Sequence, residues 1–355
     1  MLLSFFRKLL ASIFGTPALT KYPDNSNYPP YIEYPNDVDI PLPGLLQNGM
    51  LYCFPVEGDY QKLLAVCNQR LNAPLQNQPL RYFPLTSHMM LVVSLLPDSY
   101  SLNPNYHKPG SVIEKGVQIF MPLAECSRNS RGQWVAERIV CLVPYIMVDN
   151  QYSIVAGREQ FGFPKAMGQF QLPDSPQTAE QFGVEAYGFS VFDQKNPQTA
   201  AFRPWLNIKK VSAHDNFQTG QWASSDHAWG DIKHTFERIS SDKTFTEGLP
   251  FFVHELEDMM KAEVRLVFLK QFRDAADPMR ACYQAIVEDD GFVHKFHNGW
   301  FLGGAYEVSF EDFAAFPIKS ELGFPDKMVV QHPFWVNVDL LFQTGREVVR
   351  TSPGK

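Results

Sequence analysis

Short apolar segments separated by turns dominate the hydrophobic pattern of this chain. The runs HMMLVVSLL, GVQIFMPLA, EVRLVFLKQF and GGAYEVSF have the length and composition of buried strands. The segment QTAEQFGVEAYGFSVFDQ alternates apolar and polar positions, as half-buried strands do. Residues 59–72 instead have helical spacing, with Leu63, Leu64, Cys67 and Leu71 along one face. Many strands and few long helices favour an α+β domain with an antiparallel barrel or sandwich-like core.

The segment from Gln133 to Glu159 predicts a long strand, a turn near Asp149 and Asn150, and a second strand. We expect this second strand to end at a corner formed by Gly157, Arg158 and Glu159.

The first 15 residues form a separate unit with helical spacing of apolar side chains. The apolar positions are Leu2, Leu3, Phe6, Leu9, Leu10 and Ile13, with Arg7 and Lys8 between them. The run is shorter than the ~20 apolar residues of a transmembrane helix, and a secretory signal would carry its positive charge before the apolar core. Three interpretations remain open: a helix on a membrane surface, a helix docked on a partner subunit, or one packed on its own domain.

Composition shifts divide the rest of the chain into an arm and a main domain. Residues 16–44 are rich in Pro, Asn and Tyr and predict an extended arm or linker. Residues 45–350 form the main domain, with a polar insertion at about 214–246 that carries three of the nine histidines. Asp226, His227 and His234 lie there, but without a compact ligand set they are best explained as solvated side chains, and we expect no metal.

Composition and charge narrow the class of protein. Of 355 residues, 45% are apolar and 19% charged, which is typical of a globular protein. A formal net charge of -7 without a basic run argues against a nucleic-acid partner. The five cysteines are scattered and form no CxxC pair, which is typical of reduced thiols in a cytoplasmic protein.

Lys165 is the residue with the clearest chemical potential. It follows Pro164 in VAGREQFGFPKAMGQFQLP, where the nearby apolar side chains are Phe161, Phe163, Met167 and Phe170. An amine attacks a carbonyl only when it is neutral, and burial lowers a lysine pKa by up to ~3–5 units. A desolvated lysine on a rigid corner could form a Schiff base with a keto group. Most lysines in turns instead extend their charged end to water, so the residues alone leave both interpretations open.

The segment DNQYSIVAGREQFGFPKAMG resembles the signature of the acetoacetate decarboxylase family, in which Gly-Arg-Glu and Pro-Lys stand at a fixed separation. Two later segments, beginning KAEVRLVFLKQF and SFEDFAAFPIKS, resemble that family's C-terminal strands, and MLYCFPVEGDYQKLLAVCNQRLN resembles its opening strand and helix. The resemblance covers most of Gly49 to Val349 apart from the insertion. It implies a mainly antiparallel β barrel or cone with flanking helices, a homo-oligomer, and chemistry without a metal or organic cofactor.

By this resemblance Lys165 is the Schiff-base lysine, and Glu114 is carried over as a second catalytic residue. Three features depart from the family pattern. Ala166 stands where typical members have a second lysine, Gly49 stands in place of an arginine, and SHMMLVVSLL lacks the carboxylate of one of the two family glutamates. The candidate substrate-binding residues are Arg158, Glu159, Phe120, Phe161, Phe163 and Met167. For Arg158 and Glu159 we weigh substrate binding against a structural role at the corner and favour the latter, because adjacent strand residues point to opposite faces.

The implied activity is that of a carboxy-lyase, the decarboxylation of an acetoacetate-like β-keto acid through a Schiff base. Two alternatives remain open. One is a Schiff-base aldolase or dehydratase of the same fold, because the polar partners around the lysine are largely replaced. The other is a non-catalytic binding protein for an apolar carbonyl compound or lipid. We expect a cytoplasmic location, with membrane association depending on residues 1–15.

Overall fold

The computed structural model of the chain describes residues 28–108, 110–212, 220–241 and 263–351. The predicted helix of residues 1–15, the first part of the arm and both flanks of the insertion lie outside these ranges.

Fifteen strands joined in one sheet make up most of the described chain. They are β1 Gly44–Glu57, β2 Leu80–Pro84, β3 His88–Ser101, β4 Ser111–Arg128, β5 Trp134–Leu142, β6 Ile146–Val148, β7 Lys165–Gln171, β8 Gln181–Gly188, β9 Ala201–Ser212, β10 Glu263–Arg273, β11 Ala281–Phe301, β12 Ala305–Phe310, β13 Met328–Val330, β14 Phe334–Phe342 and β15 Arg346–Arg350. The α-helices are α1 Tyr60–Cys67, α2 Gln151–Ala156, α3 Ser225–Ser241 and α4 Ile318–Leu322. Short helical turns follow α1 at Asn68–Asn72 and Ala73–Leu75, follow α2 at Gly157–Phe161, and span Pro176–Thr178.

The strand pairings form a closed ring with an extension. The order runs β13-β12-β9-β8-β7-β6-β4-β3-β1-β14-β11-β10-β5, and β5 also pairs with β4. Strands β4, β3, β1, β14, β11, β10 and β5 therefore close on themselves, with β5 and β10 joined by the parallel pair Cys141–Leu266. All other pairs in the ring are antiparallel. This architecture confirms the predicted α+β fold with a mainly antiparallel core.

The buried apolar side chains fall into two clusters. The larger fills the space between the sheet, α1 and α4, and includes the fully buried Trp205, Phe54 and Phe182. The smaller lies between the ring and α3, and we name it the Trp222 cluster. Its members are Cys53, Met90, Val92, Trp222, Ala228, Trp229, Ile232, Phe301, Phe334, Val336 and Val338. Burying such side chains supplies about 1.5–3 kcal/mol each, so both clusters are major contributors to stability.

Helix α1 forms where the helical spacing predicts it. The Asp59 carboxylate accepts a hydrogen bond from the backbone N–H of Lys62 at 3.0 Å, which caps the first turn. Leu63, Val66 and Cys67 are buried on the inner face.

The predicted strand leading to the Gly157 corner is wrong, because this segment is helical. Strands β6 and β7 are parallel neighbours, and parallel strands need a crossover connection rather than a hairpin. Asn150 starts the crossover: its side chain accepts hydrogen bonds from the N–H groups of Tyr152 at 2.9 Å and Ser153 at 3.3 Å. Helix α2 and the turn Gly157–Phe161 follow from this cap.

The described part of the arm, residues 28–43, runs along the domain without helix or strand. Gln160 holds it: its side-chain amide donates to Asp39 at 3.0 Å and to the Ile40 carbonyl at 2.9 Å, and its oxygen accepts from the Leu42 N–H at 3.1 Å. Ser101 donates to the Pro41 carbonyl. These contacts fix the arm beside the turn that precedes β7.

Candidate active site

A cavity of about 290 Å³ lies within the ring of strands, and Lys165 lies on its wall. Strands β1, β3, β4, β10, β11 and β14 contribute most of the lining. The arm adds Ile40 and Leu42, and the segment from Tyr152 to Lys165 completes the wall.

Local backbone geometry sets the position of Lys165. Gly162 ends the helical turn with φ 81°, a conformation that favours glycine. A Cβ at Gly162 would come within 2.8 Å of the backbone of Leu269 and Lys270, so the turn packs directly on β10. After Pro164 the chain enters β7, where Lys165 pairs with Ile146 of β6. The lysine is thus held at the start of a strand, next to the helical crossover.

The Lys165 ammonium group faces three different side chains. Nζ donates a hydrogen bond to the Ser153 hydroxyl, lies 3.7 Å from Glu114 Oε2, and lies 5.8 Å from the centroid of the Phe163 ring. The lysine side chain is 14% exposed and that of Glu114 7%, so this pair is largely shielded from water. A buried amine beside a carboxylic acid group has the components for covalent chemistry with proton transfer.

Polar groups gather on the wall next to Lys165. Gln118 pairs with Ile146, which in turn pairs with Lys165, and the Gln118 amide donates to Ser94 Oγ at 3.3 Å. The Ser99 hydroxyl also lies in the wall and is buried without a hydrogen-bond partner among the described residues. The lining contains no arginine in the part of the chain that the structure describes, and its charged members there are Lys165 and Glu114.

Asp289 is a potential site residue that the sequence analysis missed. It is fully buried on β11, and neither carboxyl oxygen has a hydrogen-bond partner within the described ranges. It pairs with Leu266, whose side chain lines the cavity, so the Asp289 side chain projects toward the same side of the sheet. Burial, with a further contribution from Asp290, raises the Asp289 pKa well above its usual value, while Lys165 acts in the opposite direction. The three consecutive acidic residues in the apolar run AIVEDDGFV were the signal that could have indicated it.

Five of the predicted site residues lie together. Lys165, Glu114, Phe120, Phe161 and Phe163 all line the cavity. The rings of Phe161 and Phe163 stack at 4.7 Å, and Phe163 also contacts Phe268 at 4.4 Å, which builds an apolar side of the lysine environment.

The other three predicted substrate-binding residues lie outside the cavity lining. The helical turn directs Arg158 and Glu159 to the exposed surface, while Gly157 and Phe161 are buried. Arg158 Nη1 donates to the Lys165 carbonyl at 3.1 Å, a contact that fits the structural role favoured above. Partial desolvation by neighbouring residues, followed by the charges of Asp39 and Asp37, raises the pKa of Glu159 even though this residue is exposed. Met167 is half-buried elsewhere on β7.

Two of the three departures from the family pattern have local structural explanations. Ala166 is partly buried and packs against the larger apolar cluster. Gly49 is buried on β1, where a Cβ would lie 3.0 Å from a Leu96 methyl group and 3.3 Å from the Val338 carbonyl. At Gly49 a larger side chain would therefore require these neighbours to move.

Helix α3 of the insertion covers the side of the cavity formed by the Trp222 cluster. Six members of this cluster also line the cavity: Cys53, Met90, Val92, Phe334, Val336 and Val338. The Trp222 indole donates to Asp231 at 2.8 Å, and its backbone N–H donates to the Gly299 carbonyl at 2.7 Å, which ties the segment to β11. His227 and His234 are exposed, and within the described chain no three potential ligand side chains form a metal site.

Among the helices that the structure describes, none combines the length and apolar character needed to cross a bilayer.

Similarity to known proteins is evident at the level of the fold. No family model and no curated protein matches the chain by sequence. Acetoacetate decarboxylase from Legionella pneumophila superimposes with a TM-score of 0.53 and 12% identity over 96% of each chain. A second acetoacetate decarboxylase structure gives a TM-score of 0.52 and 13% identity over 90% of this chain and 96% of the other. The enduracididine biosynthesis enzyme MppR, in complex with pyruvate, gives 0.50 and 12% over 89% and 93%.

Because these similarities span nearly the whole of each chain, they concern the complete architecture and not one shared motif. The chain therefore has the fold of acetoacetate decarboxylase and the enzymes that resemble it.

Proposed function

We propose that this protein is a carbon–carbon lyase that decarboxylates a β-keto acid through a Schiff base on Lys165. The observation that carries the proposal is the largely shielded Lys165 Nζ, hydrogen-bonded to Ser153 and 3.7 Å from Glu114 on the wall of a cavity lined by strands. The fold shared with acetoacetate decarboxylase supports it, as does the fold shared with MppR, whose structure holds the keto acid pyruvate.

The first half of the reaction builds the electron sink. The neutral Lys165 amine attacks the keto carbon of the substrate, and the resulting carbinolamine loses water to give an iminium ion. Glu114 lies close enough to Nζ to exchange protons with the carbinolamine oxygen or nitrogen during this step.

In the second half the carbon–carbon bond breaks. The electron pair of the bond to the carboxylate moves toward the iminium nitrogen, which releases CO₂ and leaves an enamine. Protonation of the enamine carbon regenerates an iminium ion, and hydrolysis then frees the ketone and Lys165. Carbon dioxide is uncharged, so its departure removes a negative charge from an apolar cavity, where a carboxylate is poorly solvated.

A second candidate function is Schiff-base chemistry without CO₂ loss, such as aldol cleavage or dehydration. The lining described above holds no guanidinium to bind a substrate carboxylate, which favours a carbonyl substrate without one. Both candidates share the covalent step at Lys165 and differ in the fate of the adduct. A non-catalytic role in binding an apolar carbonyl compound or lipid would use the same cavity without covalent chemistry.

Reductive trapping tests the covalent step. The protein is incubated with acetoacetate or a longer β-keto acid, reduced with borohydride and digested, and the adduct is located by peptide mass analysis while CO₂ is measured. We expect an adduct on Lys165 together with CO₂ release. An adduct without CO₂ would favour the second candidate. If no carbonyl compound forms an adduct and lipids alone raise the melting temperature, the binding protein is favoured instead.

Lys270 provides a matched control for the trapping experiment. It is half-buried, lies over the rings of Phe272 and Tyr283 at 5.6 and 5.4 Å, and burial lowers its pKa. Lys270 does not line the cavity. It therefore represents a lysine that is partly removed from water but not positioned for catalysis, whereas Lys165 is both. Lys165→Ala is expected to abolish adduct and turnover, and Lys270→Ala to retain both. Full activity of Lys165→Ala would contradict the mechanism.

We further propose that the enzyme is a cytoplasmic homo-oligomer acting on a small-molecule keto acid. All five cysteines are free thiols, and four of them are buried, which suits a reducing compartment. Light scattering coupled to size-exclusion chromatography tests the oligomer: a single-chain mass of 40.5 kDa would contradict it.

A further inference from the structure

The cavity has two chemically different ends. One end, which we call the lysine end, contains Lys165 with Glu114, Ser153 and Gln118. The other, the distal end, is formed by the cavity-lining members of the Trp222 cluster, and it adjoins the lysine end where Val92 pairs with Gln118. An occupant that fills the cavity therefore meets polar groups at one end and hydrocarbon at the other.

The distal end has few partners for a polar ligand atom, and they lie at its border, where Gln118 is the cross-strand neighbour of Val92 and donates to Ser94. Its side chains Met90, Val92, Phe334, Val336 and Val338 are apolar, and Cys53 is a buried thiol whose pKa is raised by burial, so it stays uncharged. A hydroxyl or amide placed there would lose its hydrogen bonds to water without replacement, at a cost of about 1–3 kcal/mol. The chemistry of this wall thus selects hydrocarbon.

The size of the cavity supports the same conclusion. Its volume of about 290 Å³ is near the lower limit of ~300–1,000 Å³ for pockets that hold drug-sized ligands. A four-carbon keto acid bound at Lys165 would leave the distal end to water, which needs two to four polar partners in a buried site. The side chains that form the distal end offer none of these, and the nearest polar groups of the described wall are Gln118 and Ser94 at its border.

Helix α3 makes the distal end a permanent part of the cavity. Trp222 and Trp229 are buried against Phe301 and Phe334, with ring centroids of Trp222 at 5.1 Å from Phe301 and 6.2 Å from Phe334. Trp222 is anchored by hydrogen bonds at both its indole and its backbone N–H. Trp222 and helix α3 therefore pack against the outer side of the wall that an apolar chain would contact, and hold it in place.

We propose that the substrate carries a hydrocarbon chain that extends from the carbonyl carbon at Lys165 to the Trp222 cluster. The substrate class is then a medium-chain 3-oxo acid, and not acetoacetate itself. This inference rests on the proposed function, because it takes Lys165 as the point of covalent attachment.

A chain-length series tests the inference. The specificity constant kcat/KM for CO₂ release and the yield of borohydride adduct are measured for acetoacetate, 3-oxohexanoate, 3-oxooctanoate and 3-oxodecanoate. Each methylene transferred from water to the cavity should increase kcat/KM about fourfold, so 3-oxooctanoate should exceed acetoacetate by on the order of 10²-fold. Acetoacetate reacting as well as 3-oxooctanoate would overturn the inference and leave the proposed function intact. Absence of an adduct with every acid would overturn both.

Variants of the distal wall separate chain recognition from general effects on folding. Val338→Phe fills the distal end and should lower the ratio of kcat/KM for 3-oxooctanoate over acetoacetate by at least about tenfold. Phe334→Leu enlarges the same end and should move the preferred acid to a longer chain, which provides a second test if Val338→Phe does not fold. The matched control is Val329→Phe at an exposed position of β13, which should leave the ratio unchanged. An unchanged ratio in both distal variants would contradict the proposal.

Discussion

The stem of Lys165 lies directly against the backbone of Gly157. A Cβ added at position 157 would be 2.9 Å from Lys165 Cδ and 3.0 Å from Cε. Gly157 is buried at the junction between α2 and the helical turn, so the absence of a side chain there makes room for the lysine. The glycine of the Gly-Arg-Glu signature thus sets the path of the amine into the cavity.

Gly157→Ala should therefore reduce activity by displacing Lys165. A shift of about 1 Å at a reacting group can cost on the order of 10²-fold in rate, so we expect kcat to fall by 10- to 100-fold. The variant is compared with Gly183→Ala on β8, where a Cβ would meet only the Gln171 side chain, at 3.5 Å. Wild-type kcat in Gly157→Ala would show that the contact does not position the lysine.

Glu114→Gln should separate proton transfer from covalent attachment. The amide keeps the shape of the carboxylic acid but cannot take or give a proton at 3.7 Å from Nζ. Loss of a general acid–base typically costs 10²–10⁴-fold, so turnover should fall by that order while borohydride still traps an adduct on Lys165. Glu137→Gln, at an exposed position of β5, serves as the control. Equal turnover in both variants would exclude Glu114 from the proton transfers.

Asp289→Asn should change how stability depends on pH. Burial raises the Asp289 pKa in the folded state, whereas in the unfolded chain the carboxyl ionises near pH ~3.9. Between these two values the folded state binds more protons than the unfolded state, so the free energy of unfolding falls as pH rises. The asparagine variant lacks this contribution and should gain stability relative to wild type by up to about 1.4 kcal/mol per pH unit.

Urea unfolding of both proteins at pH 5 and pH 8 measures this difference, because the other titrating groups cancel in the comparison. Asp326→Asn is the control, since that side chain is 94% exposed. Parallel pH profiles for wild type and Asp289→Asn would mean that Asp289 is ionised in the folded protein.

Arg138→Met should strongly destabilise the fold. Arg138 contacts Glu125 Oε1 at 2.8 Å and Glu288 Oε1 at 2.8 Å, and Arg346 also reaches Glu288, at 3.0 Å. Burial acts to raise the Glu288 pKa, but the hydrogen bonds from the two arginines outweigh it and hold that pKa below its usual value. Removing Arg138 would leave two buried carboxylates short of a partner, at a cost of about 3–5 kcal/mol.

Chemical denaturation measures this loss against a matched exposed pair. Arg280 contacts Asp277 at 3.1 Å, but its side chain is 82% exposed, so Arg280→Met should change the free energy of unfolding by less than about 1 kcal/mol. The lowered pKa of Glu288 adds a second expectation: its contribution is present above the ordinary glutamate pKa near ~4.3 and is lost as pH falls through the lower folded value. Similar losses in the two variants would refute a special role for the buried network.

The sequence was most informative where local patterns decide the structure. Helix α1 follows from one apolar face and an Asp59 cap, and the alternating strands follow from burial on one side. Lys165 and its aromatic neighbours Phe161 and Phe163 are close in sequence, so their proximity could be anticipated. The signature segment contains the lysine and both aromatic residues within five positions of one another.

Features that depend on contacts between residues far apart in the chain could not be predicted from local sequence patterns. The run from Tyr152 to Ala156 has the composition of a strand, and it is helical because β6 and β7 are parallel, which no local pattern reveals. Asp289 faces inward because of its register with Leu266 on β10. The place of Ile40 and Leu42 in the cavity wall depends on contacts to Gln160, over a hundred residues away in sequence.

We expect a ligand to enter and leave the cavity beneath this arm, because Ile40 and Leu42 form part of the wall. Opening the ring would break a continuous ladder of strand pairing. Lifting Ile40 and Leu42 breaks a smaller set of bonds, three made by Gln160 and others made by Ser101, Leu102 and Asn103. Passage beneath the arm is therefore the least costly exit, and Gln160→Ala should accelerate product release in stopped-flow measurements. An unaltered release rate would mean that the product leaves the cavity through another part of the wall. If release is faster in Gln160→Ala, the arm, which belongs to neither the sheet nor the reacting groups, sets the residence time of the ligand in the cavity.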